Sequence, residues 1–203
     1  MKRTAIFPSV ILIVIASLAV SAFGEGISIG SKLEDFSLKD PRGTEHSISD
    51  LKGEKGTLIV FLSAQCPVVE MYNGRINELA TAYKEKGISF VGIYPNATEC
   101  LNWVKHHSGK EYRFTTLVDE GNVIADRFGA QYTPEVYFFN SDSILDYHGA
   151  IDNDRSGRNP DKLYLKTAFE EKLAGKEIGQ KETKAFGCSI KRVEKASAPE
   201  ASL

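Results

Sequence analysis

Cysteine, charge of one sign and long apolar runs are all scarce in this chain, and each shortage excludes a class of protein. Three cysteines in 203 residues are too few to build a disulfide scaffold. Basic and acidic side chains nearly balance, 25 against 27, so no electrostatic footprint for nucleic acid exists. Charged residues make up 26% of the chain and hydrophobic ones 42%, which excludes both a disordered chain and a polytopic membrane protein. No internal repeat and no phosphate-cradling glycine loop is present. The length and apolar content are enough for one domain with a sizeable core.

The one apolar run, Val10 to Val20, follows Met1-Lys2-Arg3 and is broken only by Ser17. Small residues at Val20-Ser21-Ala22 and Ala22-Phe23-Gly24 supply cleavage patterns, so residues 1–24 read as a secretory signal peptide. The run is shorter than the ~20 residues a spanning helix needs. Cleavage would remove Lys2 and Arg3 and make the mature chain two charges more negative. The expected location is extracytoplasmic, periplasmic or secreted, with no stable membrane association after cleavage. Disulfides persist there, and thiol chemistry needs a supplied reductant.

Beyond the signal the pattern is α/β. A short strand is expected at Leu33–Leu38, a turn at Asp40–Gly43 and a brief helical turn at Ser47–Leu51. Thr57 to Leu62 is a continuous run suited to a strand buried on both faces. A helix from Pro67 to Lys86 keeps Tyr72, Ile76, Leu79, Ala80 and Tyr83 on one face and stops at Gly87. Ile88–Tyr94 is the next buried strand. Asn96 with Glu99 spells a capping box for a helix reaching about His107. A strand at Phe114–Val118 and a short helix at Val123–Phe128, ended by Gly129, follow. Val136–Phe139 and Ile144–Tyr147 form a hairpin around Asn140–Ser143. Asn159-Pro160 is expected to open a last helix with Leu165, Ala168, Phe169 and Leu173 inward and Gly175 at its end. After Lys191 the chain is rich in Ala, Ser, Glu and Pro, and residues 192–203 read as a disordered tail. The domain is therefore set at 25–191, a mixed and largely parallel sheet with helices on both faces.

Cys66 carries the chemistry. It follows a buried strand and precedes Pro67 at the first helical position, so it occupies the N-cap. Unpaired N–H groups and the helix dipole favour an anion there. A thiol in that place has a depressed pKa, and the thiolate is the nucleophile. Thr133-Pro134 precedes the aromatic strand, and a proline that cannot donate to a ladder must sit at a strand's start. Only about one X–Pro bond in twenty is cis, so alone it reads as a turn proline.

Other signals are weaker. Asp152–Gly157 imitates half a calcium loop, but its twelfth position is Leu163, and a solvated loop that could rim the site fits better. His106 and His107 point about 100° apart on a helix and do not share an ion easily. They read as a surface pair, with His46 and His148 isolated and no metal set in view. Asn96-Ala97-Thr98 spells a glycosylation sequon that suits a helix cap equally well. Cys100 and Trp103 are expected to pack in the core.

Val60-Phe61-Leu62-Ser63-Ala64-Gln65-Cys66-Pro67, with Thr133-Pro134 downstream, resembles the redoxin family, AhpC/TSA-type and thioredoxin-like in fold. The resemblance runs from about Gly30 to Gly175. Asp126–Ala130 fits the same pattern, and Phe186-Gly187-Cys188-Ser189-Ile190-Lys191 resembles a C-terminal element of some members. It implies a thioredoxin-like sheet flanked by helices, Cys66 as the attacking thiol and Pro134 as a cis-proline beside it. Three departures stand out. Val69 occupies the place of a thioredoxin-type second cysteine, and Glu70 that of a copper carrier's. Ile59 stands where a peroxiredoxin has proline.

The family likeness implies an extracytoplasmic thiol–disulfide oxidoreductase in which Cys66 attacks a disulfide. The resolving thiol is Cys188, brought back by a mobile tail, or Cys100, or an external thiol. Ser63 is a candidate hydrogen-bond donor near the sulfur and Arg127 an electrostatic helper. Pro134, Thr133 and Pro67 are candidate substrate contacts. Electrons come from thiols, so no cofactor is expected. The partners are a protein or small-molecule disulfide, or a peroxide, and an external thiol reductant. The alternatives are a peroxiredoxin-like thiol peroxidase and a non-catalytic binding module.

Overall fold

The continuous apolar run Thr57 to Leu62 lies in the middle of a seven-stranded sheet, as a strand covered on both faces must. The computed structural model describes residues 26–156 and 158–194; the expected signal peptide and most of the expected tail lie outside them. In chain order the elements are β1 (Ser37–Lys39), β2 (Glu45–Ser47), β3 (Gly56–Phe61), α1 (Pro67–Lys84), β4 (Ile88–Tyr94), α2 (Leu101–Glu111) and β5 (Thr115–Val118). Then come α3 (Val123–Phe128), β6 (Tyr132–Thr133), β7 (Glu135–Asn140), β8 (Leu145–Gly149), α4 (Tyr164–Leu173) and β9 (Cys188–Ser189).

The large sheet runs β2-β1-β5-β4-β3-β7-β8, and β6 pairs with β9 in a small separate ladder. The sheet is mixed, as expected, but less parallel than the pattern suggested. Only β3–β4 and β4–β5 run parallel, while β7, β8, β1 and β2 join antiparallel. The hairpin on one side and the N-terminal strands on the other account for the difference.

Strand periodicity splits the core in two. Leu58, Val60 and Leu62 face one side with Tyr72 and Ile76 of α1, Val104 of α2 and Phe169 of α4. Ile59 and Phe61 face the other with Phe128 of α3 and with Tyr137 and Phe139 of β7. There Phe61, Phe128 and Tyr137 meet edge to face, with ring centroids 5.0–5.8 Å apart. Helices thus cover both faces, and each buried ring contributes roughly 1.5–3 kcal/mol.

Several expected boundaries move. Leu33–Leu38 shortens to a strand at Ser37–Lys39, because Leu33 and Phe36 are both buried and lie three residues apart rather than alternating. The last helix begins at Tyr164, not at Asn159-Pro160. The N–H groups of Arg158 and Asn159 are taken by the Asp154 carboxylate, and those of Asp161 and Lys162 by Asn153. A side-chain-capped loop holds residues that spell a helix start. That loop is not simply solvated either, because the Asp152 side chain is fully buried. Helix α2 starts at Leu101 with Cys100 at its N-cap, so Asn96 and Glu99 do not form a capping box.

Candidate active site

The strand-to-helix junction puts Cys66 at the N-cap of α1 with φ −86° and ψ 115°, followed by Pro67 in the first turn. Proline costs nothing there, since its missing N–H would have no helical partner. Cys66 is 4% exposed and Val69, three residues on, is wholly buried in the core. The place of a thioredoxin-type second cysteine therefore faces inward.

The second sulfur comes from the far end of the chain. A disulfide joins Cys66 to Cys188 across 122 residues of sequence, with the Cα atoms 5.9 Å apart. Cys100 is free and exposed, contrary to the core role expected for it. Trp103 is 49% exposed as well, since α2 turns only Val104 fully inward. Gln65, Cys66, Pro67, Trp103 and His106 line one open cleft of about 380 Å³. His107 shares this cleft and is half-buried, with Nδ1 2.7 Å from the Tyr94 hydroxyl and Nε2 3.3 Å from Asn73. Burial lowers its pKa, against the pull of Glu111 and Glu99. The expected surface pair is thus only half on the surface.

Cys188 is held by a strap rather than a mobile tail. β9 pairs antiparallel with β6, placing Cys188 opposite Thr133. Ile190 is buried, and its N–H donates to the Gln131 carbonyl at 2.9 Å. The Lys191 N–H donates to Asn96 Oδ1 at 2.8 Å and the Val193 N–H to Asn122 Oδ1 at 2.7 Å. Arg192 pairs with Asp126 at 2.8 Å. The docked chain thus runs to Val193, past the Lys191 boundary drawn from composition, and the rest of that expected tail, from residue 195, lies outside the described residues.

The Thr133-Pro134 peptide is cis, and the Thr133 carbonyl oxygen lies 3.3 Å from Cys66 Sγ. Cys66, Cys188, Thr133 and Pro134 therefore meet at one end of the sheet. A Cβ at Gly187 would collide with that same carbonyl oxygen. Gly187→Ala is therefore expected to push β9 off β6. The Cys66–Cys188 disulfide should become at least tenfold easier to open in a glutathione titration. An unchanged equilibrium would show that the strap seats without this close approach.

Two expected helpers are elsewhere. The Ser63 hydroxyl donates to Glu99 rather than toward the sulfur. The Arg127 guanidinium lies over the Phe36 ring at 5.4 Å, on the core face opposite Cys66.

Two carboxylates that sequence reasoning missed organise the site. Glu135, next to Pro134, is buried and accepts N–H bonds from Gln131 at 2.7 Å and Tyr132 at 2.9 Å. It also takes the Tyr137 hydroxyl at 3.0 Å and lies 2.7 Å from His148 Nε2. Burial alone would raise its pKa, but the bonds from His148 and the two backbone donors outweigh that and hold it below the usual value. It fixes the loop that carries Thr133 and Pro134. Glu99 does the same for residues 63–65 ahead of Cys66. The signal for Glu135 is its place one residue after the proline; Glu99, three residues after Asn96, spells a local cap.

Residues 29–148 match the AhpC/TSA family. The thiol-disulfide oxidoreductase ResA of Bacillus thuringiensis (strain Al Hakam) is 28% identical over 152 residues, covering 70% of this chain and 86% of that protein. The crystal structure of an uncharacterized conserved protein from Geobacillus kaustophilus superposes with a TM-score of 0.76 at 29% identity, covering 84% of this chain and 94% of that one. The thioredoxin domain of a thiol-disulfide oxidoreductase from Bacteroides vulgatus shares the fold at a TM-score of 0.54 and 17% identity, covering 65% of this chain and 94% of that one. The fold is thioredoxin-like.

Proposed function

This chain belongs to the AhpC/TSA family, and from that premise we propose that it is an extracytoplasmic thiol–disulfide oxidoreductase working through Cys66 and Cys188. The observation that carries this reading is the disulfide between a helix N-cap cysteine and a cysteine held opposite the residue before the cis-proline. The first step is attack of the Cys66 thiolate on one sulfur of a substrate disulfide. A Cys66–substrate bond forms, the substrate S–S bond breaks, and the departing thiolate takes a proton. The Cys188 thiolate then attacks Cys66 Sγ, forming the internal disulfide and releasing the second substrate thiol. Two electrons pass from the cysteine pair to the substrate, and an external dithiol restores the pair by the reverse sequence.

Thr133 and Pro134 would support the substrate backbone beside the sulfur, and Pro67 would border the entrance. The location rests on the N-terminal run, which lies outside the described residues; among the described residues no helix is long and apolar enough to cross a membrane. Residues 1–24 would be the removed leader, and the working domain would run from 25 past the expected boundary at 191 to Val193, where the docked strap ends. Peroxide reduction is less favoured, since Ile59 stands where a peroxiredoxin has proline and Arg127, the candidate electrostatic helper, lies over Phe36 on the core face opposite Cys66.

The test is a stoichiometric one. Reduced protein mixed with insulin under anaerobic conditions should reduce one insulin disulfide per chain while Cys66 and Cys188 become linked. Protein that leaves insulin intact over minutes, yet is oxidised at once by hydrogen peroxide, would replace this reading by the peroxidase one.

A further inference from the structure

Glu99 is half-buried between the Cys66 loop and the strap, and it takes part in no step described so far. Its Oε1 accepts from the Ser63 hydroxyl, from the Gln65 N–H at 3.1 Å and from Asn96 Nδ2 at 3.1 Å. Its Oε2 accepts from the Ala64 N–H at 3.0 Å. Four donors on one side chain suit an ionised carboxylate, which only accepts. The same short segment grips the strap, because Asn96 Oδ1 takes the Lys191 N–H and the Ala97 N–H donates to the Lys191 carbonyl at 2.9 Å. One loop thus clamps both cysteine-bearing segments.

Resting on the proposed exchange reaction, we infer that Glu99 is a positioning residue which holds the loop presenting Cys66 and keeps a negative charge beside it, restraining the thiolate and favouring the closed disulfide. The reasoning is electrostatic. A helix N-cap alone stabilises a thiolate through its free N–H groups and dipole. Here the carboxylate has taken the loop N–H groups of Ala64 and Gln65, and its charge opposes a second anion one residue further on. The disulfide carries no charge and is not opposed. The other ionisable groups around the cleft are Glu70 on α1 and His106, His107, Lys110 and Glu111 on α2. Lys110 is paired with Glu111 at 2.8 Å; on the strap, Lys191 turns its Nζ to Ser189 Oγ at 3.0 Å and Arg192 pairs with Asp126, so each of these three cations has a partner other than Glu99.

The test reads the thiol itself. In the full chain with Cys100→Ser and Cys188→Ser, iodoacetamide alkylation of Cys66 is followed against pH. The wild-type Glu99 protein should show a midpoint at or above about 7.5, the upper end of the range for helix N-terminal cysteines. Glu99→Gln should speed alkylation at pH 6.5 at least threefold, while Glu99→Asp, which keeps the charge, stays within twofold. With Cys188 restored, Glu99→Gln should make the disulfide about threefold easier to reduce, roughly 14 mV at ~30 mV per decade. A midpoint below about 6 with Glu99 in place overturns the inference, and needs no variant to fold. So does a folded Glu99→Gln that alkylates no faster, or a Glu99→Asp that matches it. Alkylation requires no substrate, so an inert pair with a high midpoint would sink the exchange reading and leave this inference standing.

Discussion

Cys188→Ser is expected to leave the protein joined to its substrate through Cys66. The first attack needs only the Cys66 thiolate, so a mixed disulfide still forms. Its release needs a second thiol, and that thiol is lost. In the native chain Cys188 is seated by β9 on β6 and by Ile190, Lys191 and Arg192, which gives it an effective concentration of at least several mM. An external thiol at ~0.05 mM then replaces it, and turnover falls on the order of 10²-fold. The adduct should be visible on a non-reducing gel and by intact mass, on the Cys66 peptide. Cys66→Ser should remove both adduct and turnover, whereas Cys100→Ser should change neither, because that cysteine is free and exposed on a neighbouring helix. If Cys188→Ser turned over at the native rate, an external thiol would be the resolving group and the strap disulfide a structural bond.

How much of this was legible before the structure depends on the range of each interaction. Thr57–Leu62 and Cys66-Pro67 are local signals. A buried run fixes the strand, and the proline fixes where the helix starts. The partner of Cys66 lies 122 residues away, so its pairing came from likeness to a family and not from spacing. Composition misjudged the strap, because its anchors are single groups on other elements: Asn96, Asn122 and Asp126. Nothing in a run of polar residues announces that two distant amides take its backbone N–H groups and a distant carboxylate takes its Arg192 side chain. Glu99 failed for a related reason. Three residues after Asn96 it spells a cap, yet the donors it satisfies belong to residues 63–65. Cys100 and Trp103 show the reverse error, since apolar character says only that burial is favourable. A helix with one buried position, Val104, leaves both outside.

The site is therefore assembled from four chain segments, with a carboxylate behind each of the two that must hold their shape. Glu99 braces the loop before Cys66, and Glu135 braces the turn that carries the cis-proline. Both satisfy backbone N–H groups that would otherwise have no secondary-structure partner. The sulfurs meet because these loops and the strap are each fixed from outside.

Asp152→Ala should be the most destabilising single change among those argued here. The Asp152 side chain has no exposure, while that of Arg75, with which it forms an ion pair, is 16% exposed. The carboxylate also takes the Tyr72 hydroxyl at 2.5 Å and the Asp154 N–H at 2.9 Å. Breaking one side of such a buried pair costs about 3–5 kcal/mol, because the remaining charge keeps its desolvation penalty and loses its attraction. For a chain of this size that corresponds to a fall in Tm of roughly 10 °C. Asp152→Asn keeps an acceptor for Tyr72 but not the charge, and should fall about midway. The exposed pair Lys181–Glu177, at 2.9 Å, is the control, since Lys181→Ala should shift Tm by less than about 2 °C. Tyr72 and Arg75 both belong to the helix that Cys66 caps, and the Tyr72 ring packs against Phe186 at the start of the strap. The loss should therefore also loosen the strap, read as easier opening of the Cys66–Cys188 disulfide at a temperature where the variant is still folded. Equal melting of Asp152→Ala and Lys181→Ala would mean that the buried carboxylate contributes no more than a surface pair, and the helix is held by its apolar face alone.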